Sequence, residues 1–305
     1  LQPSCLCVGL PGTIEEARLR ATIAFLAGGQ IDISDTLTTL PEDRWAILTA
    51  TLPPLGISAK PMDLFEPVYG QPGYEYSAVC SQEAAESAAD REMPPGSVWH
   101  LHVAADWDEW DLVGVFSFDA VAAEATPTIS RFVIPLARLG LDEAQTYWAY
   151  EFWSQQFAGT APGMRKNPRD YAHPGDFQDL LVGDSPGTLD MAFFGPAAKL
   201  MCLRKPRPHP WVVGTTFHQS CGAELHDVAW DAAARTLSGI MDRPAGEQGD
   251  IIIVGAGMRP SRFEIDGRPA TGRHGANGAW ILPVTVVATP TAWQVVFEPD
   301  GEETI

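Results

Sequence analysis

The sequence is short of basic residues, sparing with cysteine and without any long apolar run. Lysine and arginine number 20 against 39 aspartates and glutamates, a formal charge of −19 over 305 residues. Phosphate backbones are held by clustered Lys and Arg, so this balance excludes nucleic acid as a partner. It favours solubility and says little about fold. The five cysteines, Cys5, Cys7, Cys80, Cys202 and Cys221, are odd in number and scattered, which excludes a disulfide framework. Cys5 and Cys7 stand closer together than zinc ligands do, and free buried thiols are expected. No apolar run reaches the ~20 residues needed to cross a bilayer, so no membrane partner is expected. The Leu1-Gln2-Pro3-Ser4 start has neither the basic residues nor the apolar core of a secretory leader, and the cytoplasm is the expected compartment. His209, His218, Cys221 and His226 lack zinc spacing. Gly255-Ala256-Gly257 has neither a third glycine nor a helix after it, so it is no dinucleotide fingerprint. Neither metal nor cofactor is expected.

What is present is ordinary apolar content, 45%, with 10 Trp and 26 Pro. The length suggests two domains. Thr13-Ile14-Glu15-Glu16 is a capping box opening a helix over Ile14 to Leu26, apolar around most of its circumference and ended by Gly28-Gly29. Gln30 to Ser34 reads as a short strand, and Asp35 falls just past its end. Thr39-Leu40-Pro41-Glu42 reads as a second box opening a helix over Pro41 to Leu52, with Trp45, Ile47, Leu48 and Leu52 as its apolar stripe. Residues 1–66 are therefore α/β, and 67–96, which show no periodicity, read as linker or surface excursion.

From Val98 the period becomes two, and residues 97–305 read as all-β. Trp99, Leu101 and Val103 alternate with His100 and His102. A turn at Asp106 to Glu109 leads back through Trp110, Leu112, Gly114 and Phe116. The carboxylates Asp106, Asp108, Glu109 and Asp111 lack the ligand order of a calcium loop and read as a solvated hairpin tip. Tyr147 to Phe157 fits strand or helix. Further short strands recur to Phe297, with Asp266-Gly267 a strong hairpin signal, and such spacing means a sandwich or barrel.

Several stretches together resemble the melibiase-type α-galactosidases and related retaining glycoside hydrolases. They are Glu16 to Thr22, Gly28-Gly29 with Ser34-Asp35, Leu52-Pro53-Pro54, and Pro61 to Glu66. Downstream come Trp110 to Phe116, Tyr150-Glu151-Phe152-Trp153, Thr215 to His218, Glu224-Leu225 and Val228 to Asp231. The resemblance implies the C-terminal remnant of a (β/α)8 barrel followed by an antiparallel β-sandwich. Ile14 to Leu26 would be a late barrel helix, Gln30 to Ser34 the last strand and Pro41 to Leu52 the last helix. The family's aspartate nucleophile and aspartate acid/base lie on earlier strands, so no catalytic residue is expected in this chain. The rest of the barrel is expected N-terminal to Leu1, with an oligosaccharide or glycoside as substrate.

The site candidates are Asp32, Asp35 and Glu151, as substrate contacts or supports for them. Retaining glycosidases need two carboxylates ~5 to 5.5 Å apart, which residues three apart at a strand end can approach. Against this, Asp32 can pair within the layer and Asp35 can cap the turn before the next helix. Glu151, among Tyr147, Trp148, Tyr150, Phe152 and Trp153, must find a polar partner. The rival reading is a non-catalytic carbohydrate-binding or interaction module that uses exposed Trp residues as sugar platforms.

Overall fold

The computed structural model describes residues 5–63, 97–117, 129–159, 187–194, 196–275 and 278–300. Cys80 and the stretch from 67 to 96 lie outside them. Contacts divide the chain into two compact units, Leu1–His102 with Asp111–Leu203, and Val103–Trp110 with Arg204–Ile305. In the first unit β1 (Lys60–Pro61) pairs with β2 (Val98–Ala104), tying the helical segment to the first sheet.

In the first unit, α1 spans Ile14–Ala27. The capping box forms: the Glu16 amide donates to Thr13 Oγ1 at 3.2 Å, and the Thr13 amide to Glu16 Oε2 at 2.8 Å. Gly28 ends the helix at φ 68°, with its N–H on the Phe25 carbonyl. A side chain there would stand 2.0 Å from the Ile57 oxygen, so only glycine fits. The second helix, α2, spans Glu42–Thr51 and starts without the expected box. Thr39 instead donates to the Thr36 carbonyl in a 3-10 turn, and Pro41 serves as the N-cap. The expected strand over Gln30 to Ser34 shortens to one parallel bridge, Ile33 with Leu6. Its bonds run from the Leu6 amide to the Asp32 carbonyl, 2.7 Å, and from the Ser34 amide to the Leu6 carbonyl, 3.0 Å. The order is thus the Leu6 bridge residue, α1, the Ile33 bridge residue, α2.

The all-round apolar surface of α1 has a packing reason. Ala17, Ala21 and Ala24 join Leu6, Val8, Ile47 and Leu48 in a small core. On its other side Leu26 meets Gly114, where an added Cβ would lie 2.3 Å from Leu26 Cδ1. In α2 the expected stripe is wrong at one position: Trp45 is 39% exposed, and Arg44 beside it is buried.

The remaining strands of this unit are β3 (Glu109–Ser117), β4 (Ile129–Pro135), β5 (Trp148–Glu151), β6 (Gln156–Gly159), β7 (Thr188–Phe194) and β8 (Ala197–Arg204). Six form one sheet in the order β1-β2-β3-β8-β5-β6, and β4 pairs with β7. Val113, Val115, Met201 and Leu203 of the larger sheet share a core with Phe132, Ile134 and Met191 of the pair. Residues 147–157, ambiguous in sequence, are the β5–β6 hairpin.

The second unit continues with β9 (Trp211–Thr215), β10 (Leu225–Asp231), β11 (Thr236–Met241), β12 (Gln248–Val254), β13 (Met258–Ile265), β14 (Arg268–Ala270), β15 (Arg273–His274), β16 (Ala279–Thr285) and β17 (Thr291–Pro299). They make a sheet β10-β11-β17-β13-β14 and a sheet β15-β16-β12-β9. Leu237, Trp293, Val295 and Phe297 from the first bury against Val212, Ile251, Ile253, Leu282 and Val284 from the second. That is a β-sandwich, built by the alternation legible in the sequence. Asp266 and Gly267 turn the β13–β14 hairpin with both φ positive, 49° and 71°.

The described residues are therefore mostly antiparallel sheet with two α-helices. Among them no helix is long and apolar enough to cross a membrane. Cys202 and Cys221 are buried as expected, whereas Cys5 and Cys7 are exposed.

Candidate functional site

The C-terminal ends of the parallel pair open onto a cleft lined by Cys7, Gly9, Glu16, Arg20, Ser34 and Asp35, among others. Asp35 follows the Leu6–Ile33 bridge by two residues and lines this cleft. Its carboxylate accepts from two successive backbone amides of the neighbouring strand end, Val8 N–H on Oδ2 at 2.7 Å and Gly9 N–H on Oδ1 at 3.0 Å. The same loop is gripped from the other side. Arg44 Nη1 donates to the carbonyls of Val8 and Thr13, and Nη2 to that of Gly12, all at 2.9 Å. One carboxylate takes the loop's N–H groups and one guanidinium its C=O groups, which fixes residues 8–13 at the mouth of the cleft.

Asp32 and Glu151 are not brought to this place as partners of Asp35. Asp32 is exposed and accepts from Gln30 Nε2 at 3.0 Å. Glu151, the last residue of β5, is buried and engaged by the β5–β6 turn and by β8. Its oxygens accept from the amides of Trp153 at 3.3 Å, Ser154 at 2.7 Å and Leu200 at 3.0 Å, and from Ser154 Oγ at 2.5 Å. Such a carboxylate closes a turn and pins it to β8. The polar partner demanded by its aromatic surroundings is backbone.

The acidic turn of the β2–β3 hairpin is not uniformly solvated, contrary to expectation. Asp108 is almost wholly buried, with Oδ2 on Arg204 Nη1 at 2.6 Å and Oδ1 on Arg207 Nη2. Arg204 is itself buried over the Trp110 ring, 3.8 Å from its centroid, and over Trp107, 4.7 Å away. Asp111 lies on β3, where Oδ1 meets His100 Nε2 at 2.9 Å and His102 Nδ1 at 3.1 Å. Burial, the largest single influence, pushes its carboxyl up. The hydrogen bonds and charges of the two imidazoles outweigh that and hold it below its ordinary value.

Arg44 and the Asp108 pocket are missed by sequence reasoning because their partners lie 31 to 36 and 96 to 99 residues away. The one local sign is an arginine within an apolar helical face. Among the described residues no group of three or more His, Cys, Asp or Glu side chains is placed to hold a metal ion.

No family model matches the chain, and no curated protein matches it. Among solved structures it is similar to an α-galactosidase from Saccharomyces cerevisiae, with a TM-score of 0.38 and 11% identity. That match covers 66% of this chain and 46% of the yeast chain. A second structure from the same yeast, an α-galactosidase with raffinose, matches at a TM-score of 0.35 and 13% identity over the same shares. The chain spans less than half the length of either.

Proposed function

We propose that this chain is the C-terminal part of a retaining glycoside hydrolase of the α-galactosidase type. Residues 6–51 are then the closing edge of a (β/α)8 barrel, and the antiparallel sheets buttress it. The observation that carries the reading is the parallel Leu6–Ile33 bridge with α1 between its strands and α2 after them. Parallel strands are stable when helices cover a layer of several strands, and a single bridge calls for further strands beside it. Of the five large apolar side chains exposed among the described residues, Leu10, Leu37, Trp45 and Ile57 all belong to residues 1–66. A completed layer would have surface there to cover.

In this reading the aspartate nucleophile and acid/base are supplied by strands preceding Leu6, and the reaction is a double displacement through a glycosyl-enzyme intermediate. Asp35 is a positioning residue: it holds the 8–13 loop at the strand ends, where barrel enzymes meet their substrates. Glu151 serves the scaffold, and Asp32 lies at the surface. The test is hydrolysis of 4-nitrophenyl α-D-galactopyranoside by the complete gene product and by the 305-residue chain alone. The reading expects nitrophenol release by the former and none by the latter. Turnover by the chain alone, or an inert complete product, would overturn it.

A further inference from the structure

The cleft beside Asp35 carries groups that neither the capping of α1 nor the hold on the 8–13 loop uses up. Its volume is about 660 Å³, within the about 300–1,000 Å³ of sites that take small molecules. The 8–13 loop, held by Asp35 and Arg44, forms one wall. The second turn of α1 brings Arg20 to another. No aromatic side chain lines the cleft among the described residues.

The charged groups of the lining differ in what they have left to offer. Asp35 has both carboxylate oxygens on backbone amides, and Glu16 Oε2 is taken by the Thr13 amide of the capping box. Arg20 is half-buried and is the one guanidinium of the lining. Its Nη1 reaches the Cys7 carbonyl at 3.4 Å, a long bond, and its other N–H groups have no partner among the described residues. Ser34 and Thr36 add exposed hydroxyl groups. Gly12 keeps the approach to Arg20 open: a Cβ there would stand 3.2 Å from Arg20 Nη1 and 3.2 Å from Glu16 Oε2. One cation beside two carboxylates gives no net pull on an anion. A fork of free donors with two hydroxyls suits the hydroxyl groups of a neutral sugar. Without an aromatic wall the cleft offers little to an aryl ring.

We infer, resting on the glycosidase reading proposed for this chain, that the cleft is the subsite for the leaving group. It takes a neutral sugar there, and Arg20 is the contact that sets this specificity. The test is kcat/KM of the complete gene product for two substrates. One is raffinose, whose leaving group is a disaccharide; the other is α-galactosyl fluoride, whose leaving group is a single atom. The ratio of the two values does not depend on how much of a variant folds. Arg20→Gln is expected to lower the raffinose-to-fluoride ratio about tenfold, through loss of hydrogen bonds from a charged donor. Gly12→Val, which crowds Arg20 across the cleft, is expected to lower it too. A ratio unchanged in either variant overturns the assignment and leaves the glycosidase reading standing. So does a parent that cleaves the fluoride but not raffinose. A parent that cleaves neither overturns both.

Discussion

Replacing Arg44 by methionine tests whether the 8–13 loop is held as a clamp. Methionine keeps an unbranched apolar stem and removes the guanidinium that reaches three carbonyls. The three losses are unequal. Thr13 O keeps the Ala17 amide as a partner at 3.1 Å. Gly12 O is partly exposed and can turn to water. Val8 O is buried and is left without a replacement, which costs about 1–3 kcal/mol. The salt bridge to Asp43 adds little, since that carboxylate is 61% exposed. Releasing the guanidinium's desolvation offsets part of the loss. The expected net is about 2 kcal/mol, or roughly 30-fold faster hydrogen exchange at the Val8 and Gly9 amides, since every 1.4 kcal/mol is tenfold. Exchange is the right assay because two compact units need not melt in one transition. Those two amides also donate to Asp35, so Asp35→Ala should accelerate the same pair. The double variant should then cost less than the sum, because both side chains hold one loop. Unchanged exchange at Val8 and Gly9 in Arg44→Met would refute the clamp.

Two further outcomes follow from packing and charge. Gly114→Ala should destabilise the first unit by about 1–3 kcal/mol through overpacking against Leu26, and Leu26→Ala in the same chain should recover part of that; hydrogen exchange at first-unit amides in both variants checks it. Asp111 has a folded pKa below its ordinary 3.8, so its contribution is present above that value and is lost as pH falls through the lower folded pKa. Asp111→Asn should therefore be less stable than the parent at pH 6, with the gap closing as the pH is taken below 3.8. A gap that stays constant down to pH 2 would exclude the imidazole pairing as its source.

The sandwich is legible in the sequence because its information is local. Alternation places Leu237, Val295 and Phe297 inward, and Asp266-Gly267 accepts the two positive φ values the turn needs. The helix over Ile14–Ala27 is legible for the same reason, as capping box and terminal glycine sit within its own ends. Helical periodicity fails at Trp45, because it sorts residues by polarity while the space beneath α2 is filled by a guanidinium reaching a distant loop. The aromatic setting of Glu151 correctly demands a partner, but the amide of Leu200, 49 residues on, has no sequence signature. Asp35 is singled out in the sequence by its position after an expected strand. What it does there depends on the amides of Val8 and Gly9, which only the fold brings to it.

In the proposed function, residues 6–51 close the barrel of a retaining α-glycosidase. Its most direct measurement is the configuration of the sugar first released by the complete gene product, followed by NMR during hydrolysis of an aryl α-galactoside. Double displacement requires that α-galactose appears first and mutarotates afterwards. Initial release of β-galactose, or no hydrolysis of any aryl α-glycoside, would contradict it.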